Sequence, residues 1–328
     1  MRRAAALVFT PLIAALAVAG CSSSPSSTAS SSSSAAAAGG ADTYKSVTVT
    51  GTLNKAPTVT IPKVKGTGDL YVKTLIQGAG ETLKSTSTEG AVGNYVAYLW
   101  SGATSKQLGS SYSVNDQSVF AGSLLPGLAK ALTGQKMGSR VLAVIPPKDA
   151  WGAQGAPNEG ISGTDTLVFV IDLNQTFPYP TAVAGQQASN GGGALPAVTA
   201  PAKGSTTGPA VKVNTKAAPP KKLEASLLVK GTGPVVKKGQ NVVVQYTGLI
   251  WRTGKIFETS WGDAPFSTPI GVGKVVPGWD KGLVGQTVGS RVLLVLPPAD
   301  GYGTPGNSAA GIKGTDTLVF VVDILKTY

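Results

Sequence analysis

Few residue types in this chain can do acid–base, nucleophilic or metal chemistry. Histidine is absent and cysteine occurs once among the 328 residues, which excludes a histidine base, a Cys-His nucleophile, a thiolate metal cluster and an intrachain disulfide. We therefore expect a function that uses no metal and no cofactor. Two aromatic residues stand out instead: Tyr302 lies between two glycines, as in a loop, and Trp279 lies in a repeated stretch whose other copy has Leu128.

The repeat extends well beyond that stretch. "SLLPGLAKALTGQKMGSRV" at 123–141 resembles "KVVPGWDKGLVGQTVGSRV" at 274–292, and residues 137–173 align with 288–324 without a gap. The offset is constant at 288 − 137 = 151 residues. A period this long predicts two tandem domains, because solenoid repeats are only about 20–50 residues long.

Three apolar runs in the second copy predict β-strands. "QNVVVQYTG" is rich in β-branched and aromatic residues, and Val242, Val244 and Tyr246 alternate so that they share one face. "SRVLLVLPP" and "DTLVFVVDIL" are nearly continuous apolar runs bounded by proline or turn residues. One face of the last run carries Leu318, Phe320, Val322 and Ile324.

One short helix is predicted at "GWDKGLVGQ". Pro277 can begin it, Trp279 and Leu283 lie one turn apart on the same face, and Gly289 lies just past its predicted end. Many strands with one short helix predict an α+β domain, in which an antiparallel sheet packs against the helix.

In the second copy, the segments "VVQYTG", "GKIFETSW", "PF", "GVGKVVPGWDKGL", "VGSRVLLVLPP", "GYG" and "GTDTLVFVVDIL" follow one another in order. This series resembles the FKBP-type peptidyl-prolyl cis-trans isomerase family over nearly the whole domain. The resemblance implies two tandem FKBP-like domains, each with an antiparallel sheet of five or six strands wrapped around one short helix. It also implies an apolar pocket between helix and sheet that accepts the proline ring of a substrate.

The resemblance assigns roles to individual residues. The catalytic group would comprise the Tyr302 hydroxyl, the backbone N–H of Val276, and Glu258, which stands where the family usually has Asp. The Glu258 side chain is one methylene longer than Asp. Its carboxylate could still polarise the site or hold a partner side chain; alternatively it is misplaced, which would weaken activity or change substrate preference. The substrate-binding set implied by the family, with Trp279 as its floor, is Tyr246, Phe257, Phe266, Val275, Val276, Trp279, Ile312 and Phe320.

The implied reaction suits a chain without histidine. Rotation about a peptide bond has a barrier of about 18–20 kcal/mol, and the rotated amide has lost its resonance. Its carbonyl is less polar than that of the planar form, so a dry aromatic pocket tolerates it better than water does.

The first copy is predicted to keep the scaffold and to lose the pocket. The retained positions match Tyr98 with Tyr246, Ile161 with Ile312 and Phe169 with Phe320. The changed positions are Leu108 for Phe257, Gly109 for Glu258, Leu128 for Trp279, Trp151 for Tyr302, and no aromatic for Phe266. We therefore expect a poor or inactive isomerase, which either binds polypeptide or spaces the second domain from a membrane.

The N-terminus has the parts of an export signal. Arg2 and Arg3 precede an apolar stretch, and "VAGC" at its end resembles the bacterial lipobox, which implies lipidation of Cys21. The alternative is a plain secretory signal followed by an unused thiol. The Ser/Ala-rich segment that follows cannot bury enough apolar surface to order itself and is predicted to be a flexible tether.

These features predict the domain organisation and the functional alternatives. A net charge of +12 with scattered basic residues argues against nucleic-acid binding and favours attraction to an anionic envelope. We expect a prolyl isomerase that acts on exported polypeptides, with macrolide inhibitors as candidate ligands. We expect a lipid to anchor it to the outer face of the bacterial cell membrane. The alternatives are a non-catalytic chaperone or scaffold lipoprotein and an envelope structural protein. The predicted segments are a signal peptide (1–21), a tether (22–41), a degenerate FKBP-like domain (42–177), a linker (178–207) and an isomerase domain (208–328).

Overall fold

The computed structural model describes residues 42–112, 117–122, 124–179, 181–185, 187–188, 195–202 and 205–328. The predicted signal peptide, Cys21 and the tether lie outside the described residues. In the part of the chain that is described, no helix is long and apolar enough to cross a membrane. The chain divides into two compact units: the second comprises 81–92, 119–122 and 175–328, and the first comprises the rest.

The first copy is built on one sheet and one helix. Its strands are β1 (Thr48–Thr50), β2 (Thr58–Thr60), β3 (Tyr71–Ile76), β4 (Glu89–Ser101), β5 (Thr104–Ser110), β6 (Ser118–Phe120), β7 (Arg140–Ile145) and β8 (Thr166–Pro178). The main sheet has the order β3-β7-β8-β4-β5, and β6 also pairs with β4. Helix α1 spans Pro126–Leu132.

The second copy repeats this arrangement. Its strands are β9 (Ala197–Thr199), β10 (Ala210–Lys212), β11 (Glu224–Val229), β12 (Asn241–Ile250), β13 (Ile256–Thr259), β14 (Phe266–Pro269), β15 (Arg291–Leu296) and β16 (Leu318–Thr327). The order β11-β15-β16-β12-β13, with β14 on β12, matches that of the first sheet strand for strand. Helix α2 spans Pro277–Leu283. The predicted α+β class, with one sheet of about six strands and one helix in each copy, is therefore confirmed.

The main core of the second copy lies between its sheet and α2. The strand faces predicted from alternation both point into it, and Trp279 and Leu283 of the helix fill it from the other side. The inward residues of the strands are Val242, Val244, Tyr246, Leu318, Phe320, Val322 and Ile324.

The predicted end of the helix was wrong. Helix α2 ends at Leu283, because Val284 is β-branched and takes an extended conformation and Gly285 follows with a φ of 90°. Gly289 lies instead in the turn that leads into β15, where its φ is 88°.

A two-stranded hairpin packs against the main sheet in each copy, and neither hairpin was predicted. The strands β1 and β2 pair with each other, as do β9 and β10. In the first copy the indole N–H of Trp100 donates to the Val64 carbonyl at 2.8 Å, and in the second copy Trp251 donates to Ala217 at 3.0 Å. A tryptophan near the end of β4 or β12 thus ties each hairpin segment to its sheet.

The segment predicted as a linker, 178–207, contains strand β9. Val198 of β9 packs in a cluster with sheet residues that include Leu293 and Val319, and the Gln187 side chain donates to the Val198 carbonyl at 2.6 Å. The described residues of this segment therefore belong to the second unit, because a few apolar side chains anchor an otherwise Gly- and Pro-rich sequence. The same division gives Phe177 to the second unit, where it packs with Val243.

Candidate functional site

Three buried aromatic side chains form the centre of the candidate site. The Trp279 ring lies 5.2 Å from that of Tyr246 on β12 and 5.4 Å from that of Phe320 on β16, between ring centroids. Both contacts are edge-on, at 87° and 85°, which is a geometry that aromatic pairs favour. Pro277 begins the helix that holds Trp279, and the Val276 carbonyl accepts the Trp279 backbone N–H at 2.9 Å.

Two phenylalanines form the walls of the pocket. Phe266 begins β14, its ring centroid lies 6.1 Å from that of Trp279, and 40% of its surface is exposed. Phe257 on β13 meets Phe320 edge-on at 5.7 Å. A Cβ at Gly248 would come within 2.8 Å of the rings of both Phe257 and Phe320, so this wall requires glycine.

The aliphatic positions complete the predicted set. Val275 and Val276 are half-buried before α2, and Ile312 is 3% exposed in the same core. Among the described residues, no acceptor is found for the backbone N–H of Val276. The structure thus brings together all eight residues of the predicted substrate-binding set.

Asp280 shapes the loop that leads into the helix, and sequence reasoning missed it. Its carboxylate accepts the backbone N–H of Gly271 at 2.6 Å and that of Gly273 at 2.7 Å. An acidic residue in the first turn of a helix was the available signal, because such residues commonly accept hydrogen bonds from nearby free N–H groups.

The polar side of the pocket centres on Glu258. Burial, and then the charge and hydrogen bond of the Glu258 carboxylate, raise the pKa of Tyr246 above its usual value. The Glu258 carboxylate therefore lies close enough to Tyr246 to affect its ionisation. An open depression of about 300 Å³ beside the aromatic pocket is lined by Phe257, Glu258, Tyr302, Asn307, Ala309 and Ala310.

Asn307 is a second residue that sequence reasoning missed. Its side-chain oxygen accepts the Ala310 N–H at 3.4 Å, and its backbone pairs with Ile312 as an isolated bridge. Asn307 thus shapes the loop beside Tyr302. The sequence offered only an asparagine after glycine in "GTPGNSAAG", which signals a turn and not its place beside the pocket.

The pocket offers hydrogen-bond donors and no metal site. The indole N–H of Trp279 is buried and has no partner within the described residues. Across the same residues, no group of three His, Cys, Asp or Glu side chains is placed to hold a metal ion. The arrangement can hold an apolar ring in a dry aromatic pocket and donate hydrogen bonds at its edge.

The structure corrects one match between the copies. Tyr95, and not Tyr98, occupies the position of Tyr246: its N–H donates to Ser111 Oγ at 2.9 Å, as that of Tyr246 does to Ser260 Oγ at 2.9 Å. The Tyr95 ring also lies 6.3 Å from the Phe169 ring, against 6.2 Å for Tyr246 and Phe320. Residues three apart on a strand face opposite sides, so Tyr98 points away from this position.

Two of the other predicted changes, at Leu128 and Gly109, are found where expected. Leu128 is 2% exposed on α1, and Gly109 pairs with Ala97 as Glu258 pairs with Gly248. Gly109 therefore places no carboxylate beside Tyr95. An open cavity of about 230 Å³ in the first unit is lined instead by Ala56, Pro57, Val96, Tyr98, Gln107, Ser110 and Tyr112.

Comparison with known proteins agrees with this geometry. The family described as FKBP-type peptidyl-prolyl cis-trans isomerase matches residues 85–174 and 233–325, which is more than half of the chain. An FK506-binding protein of Streptomyces anulatus is 38% identical over 108 residues, covering 33% of this chain and 87% of the relative. Peptidyl-prolyl cis-trans isomerase FKBP12 of Vicia faba is 35% identical over 109 residues, covering 32% and 96%.

A solved structure with repeated domains also matches. The crystal structure of the three FKBP domains of wheat FKBP73 covers 79% of this chain and 94% of that one, at 20% identity and a TM-score of 0.31.

Fold and site define a twice-repeated α+β domain with an aromatic pocket between sheet and helix in the second copy. The chain belongs to the FKBP-type peptidyl-prolyl cis-trans isomerase family.

Proposed function

We propose that this protein isomerises X-Pro bonds of exported polypeptides and that its C-terminal copy alone carries the catalysis. One observation carries the proposal: Trp279 lies buried between Tyr246 and Phe320 in the second copy, whereas Leu128 fills the same helix position in the first. A flat indole face suits a proline ring, and leucine keeps the packing without that face.

In this mechanism the pocket removes water from around the prolyl bond. The proline ring lies on Trp279 between the aromatic walls, and the N–H of Val276 binds one substrate carbonyl. The Tyr302 hydroxyl donates to the carbonyl that precedes the proline. The rotated amide is less polar than the planar one, so desolvation disfavours the ground state more than the transition state.

In this mechanism Glu258 acts on Tyr246 and on the edge of the substrate depression. Its carboxylate lies near the Tyr246 hydroxyl and helps to raise the pKa of that tyrosine, which keeps the hydroxyl neutral. Its position beside Tyr302 also places a negative charge at the edge of the depression that the substrate chain crosses.

An isomerase assay on the full chain tests the function. We expect clear acceleration of cis-trans exchange in an X-Pro peptide, with a lower kcat/KM for Tyr302→Phe because one donor to the substrate is lost. An exchange rate no faster than in solvent would refute the isomerase and favour the alternative, a non-catalytic polypeptide-binding lipoprotein. The first copy, which lacks the aromatic floor, is proposed to bind polypeptide or to act as a spacer.

We expect kcat/KM to change little with pH between about pH 6 and pH 9. The raised pKa of Tyr246 keeps its hydroxyl protonated across this range, because a tyrosine is neutral below its pKa. The chain also has no histidine to titrate. The check is a pH profile of peptide isomerisation, and a bell-shaped curve within this range would contradict the proposed mechanism.

We propose further that Cys21 carries a lipid that holds the protein at the outer face of the bacterial cell membrane. The position of the lone cysteine directly after an apolar stretch supports this. Cys21→Ser is expected to move the expressed full-length protein from the membrane fraction to the soluble secreted fraction, with Ser22→Ala as the matched control. Retention of Cys21→Ser at the membrane would contradict lipid anchoring.

The relative from Streptomyces anulatus is named for binding FK506. We propose that the second pocket binds such macrolides, because the aromatic floor and walls that suit proline also suit an apolar ring of similar size. Calorimetric titration of the full chain with FK506 tests this, and heat that persists unchanged in Trp279→Leu would place binding elsewhere.

A further inference from the structure

The segment between β13 and β14 connects two walls of the aromatic pocket. Strand β13 carries Phe257 and Glu258, and β14 begins with Phe266. We call residues 260–265 the wall loop. Within the second unit, a shift of this loop would move Phe266 directly, because only Pro265 lies between Ala264 of the loop and Phe266.

The wall loop is contacted by residues outside the matched family region 233–325. The Tyr179 hydroxyl donates to the backbone carbonyl of Asp263 at 2.8 Å. Gly122 lies so close that a Cβ there would come within 2.9 Å of the Cα of Ala264. Gly208 lies against the ring of Trp261, where a Cβ would come within 2.5 Å of a ring carbon.

Tyr179 is itself firmly held. It is 5% exposed, and its backbone N–H donates to the Thr88 carbonyl at 3.2 Å. Its ring belongs to a buried cluster with Val92, Phe177 and Val243. A buried tyrosine with its backbone tied in this way can impose a position on the loop carbonyl that it binds.

The other end of this wall is already fixed by the sheet. Phe266 pairs with Val244 of β12, and the Ser267 hydroxyl lies 2.9 Å from the Tyr328 hydroxyl. On the loop side, Ser260 is tied to Tyr246 of β12 where the loop begins. The half of the loop that leads into Phe266 is instead contacted by Tyr179 and Gly122.

We propose that Tyr179 and Gly122 are positioning residues for the substrate pocket, which they serve by holding the wall loop. Gly122 and Thr88 lie in the first matched family region, so the second pocket depends on residues contributed by the degenerate copy. These residues belong to the second compact unit and position the pocket, while the chemistry stays in the second copy. The inference rests on the proposed isomerase function of the second copy.

The decisive comparison uses two glycines in the full chain. Gly122 and Gly134 have similar positive φ angles, 78° and 83°, so an alanine is strained at both. A Cβ at Gly134 meets nothing within 4 Å, whereas one at Gly122 pushes on Ala264. We expect Gly122→Ala to lower kcat/KM about tenfold, mainly through a higher KM, and Gly134→Ala to leave it unchanged. Equal effects of the two variants would overturn the proposal.

In a second pair of variants, each substitution removes one tyrosine hydroxyl and keeps the aromatic ring. Tyr179→Phe is expected to lower kcat/KM about fivefold through KM, because Phe266 loses its set position. Tyr44→Phe is the matched control: its hydroxyl lies 2.8 Å from the hydroxyl of Thr166, and its ring is 2% exposed in the first unit. A kcat/KM for Tyr179→Phe equal to that of the wild type would overturn the role of this hydrogen bond.

Hydrogen exchange of the wall loop separates this inference from the proposed function. Amide exchange in residues 260–266 is expected to be faster in Gly122→Ala and Tyr179→Phe than in their controls, whether or not the protein turns over peptide. Faster exchange with no wild-type turnover would refute the isomerase and keep the anchoring of the loop. Unchanged exchange in both variants would refute the anchoring itself.

Discussion

Replacement of Trp279 by leucine is expected to lower kcat/KM for an X-Pro peptide by about tenfold or more. The indole ring is 3% exposed and contacts both Tyr246 and Phe320, so its loss removes the surface on which the proline ring would lie. Leucine is the informative substitution because Leu128 fills this position in the first copy, whose helix forms with leucine there.

The same assay needs a control that changes a comparable residue elsewhere. Trp151 stands at the Tyr302 position of the first copy and is half-buried, so Trp151→Leu is expected to leave turnover unchanged. Circular dichroism should give the same spectrum for both variants. A Trp279→Leu protein that folds and keeps its full kcat/KM would show that the aromatic floor is not used.

Removal of Asp323 is expected to destabilise the second unit by about 3–5 kcal/mol. Arg291 and Asp323 are each about 1% exposed and form two parallel hydrogen bonds of 2.7 Å. The segment before β9 adds one hydrogen bond to each charged side chain. The Val183 N–H donates to Asp323 at 3.0 Å, and the Gln187 side-chain oxygen accepts from Arg291 at 3.3 Å. Asp323→Ala leaves a buried guanidinium without its counter-charge.

Urea unfolding of the full chain measures this loss. Lys281→Ala is the matched control: it breaks a pair with Asp300 in which the lysine is 62% exposed, and such pairs contribute at most about 1 kcal/mol. The double variant Arg291→Met with Asp323→Leu is expected to recover most of the stability, because no unpaired charge remains buried. Equal urea midpoints for Asp323→Ala and Lys281→Ala would contradict the stabilising role of the buried Arg291–Asp323 pair.

The sheets and the second pocket were predictable because their signals are local and repeated. The alternating face of "QNVVVQYTG" and the apolar run "DTLVFVVDIL" define strands without reference to the rest of the chain. The constant offset of 151 residues carries the same register into both copies: Arg140 pairs with Asp172 as Arg291 pairs with Asp323. The pocket residues followed from the family motifs, which the sequence preserves in order.

The hairpins were missed because their strands are only three residues long. Strand β9 lies in a segment rich in glycine, proline and alanine, whose composition is typical of a linker. What makes it a strand is pairing with β10 and the packing of Val198 on the sheet, and both are tertiary contacts.

The mismatch of Tyr98 has a different cause. Two tyrosines lie three residues apart in β4, and residue type alone does not decide between them. The offset of 151 was the available signal, since 246 − 151 = 95. Leu108 then lies 13 positions after Tyr95, whereas Phe257 lies 11 positions after Tyr246 (108 − 95 = 13; 257 − 246 = 11), and this longer hairpin hid the register.

The contacts to the wall loop could not be predicted at all. Tyr179 lies 84 residues before Asp263 in the chain, and no motif links the two. Such a hydrogen bond follows only from where the strands end in space.

The isomerase activity of two double variants of the full chain tests the central claim most directly. Trp279→Leu with Tyr302→Phe alters the second pocket, and Leu128→Met with Trp151→Leu alters the corresponding positions of the first copy. We predict that the first pair brings peptide exchange close to the solvent rate and that the second pair keeps wild-type turnover. Substantial turnover in the first pair, or its loss in the second, would contradict catalysis by the C-terminal copy.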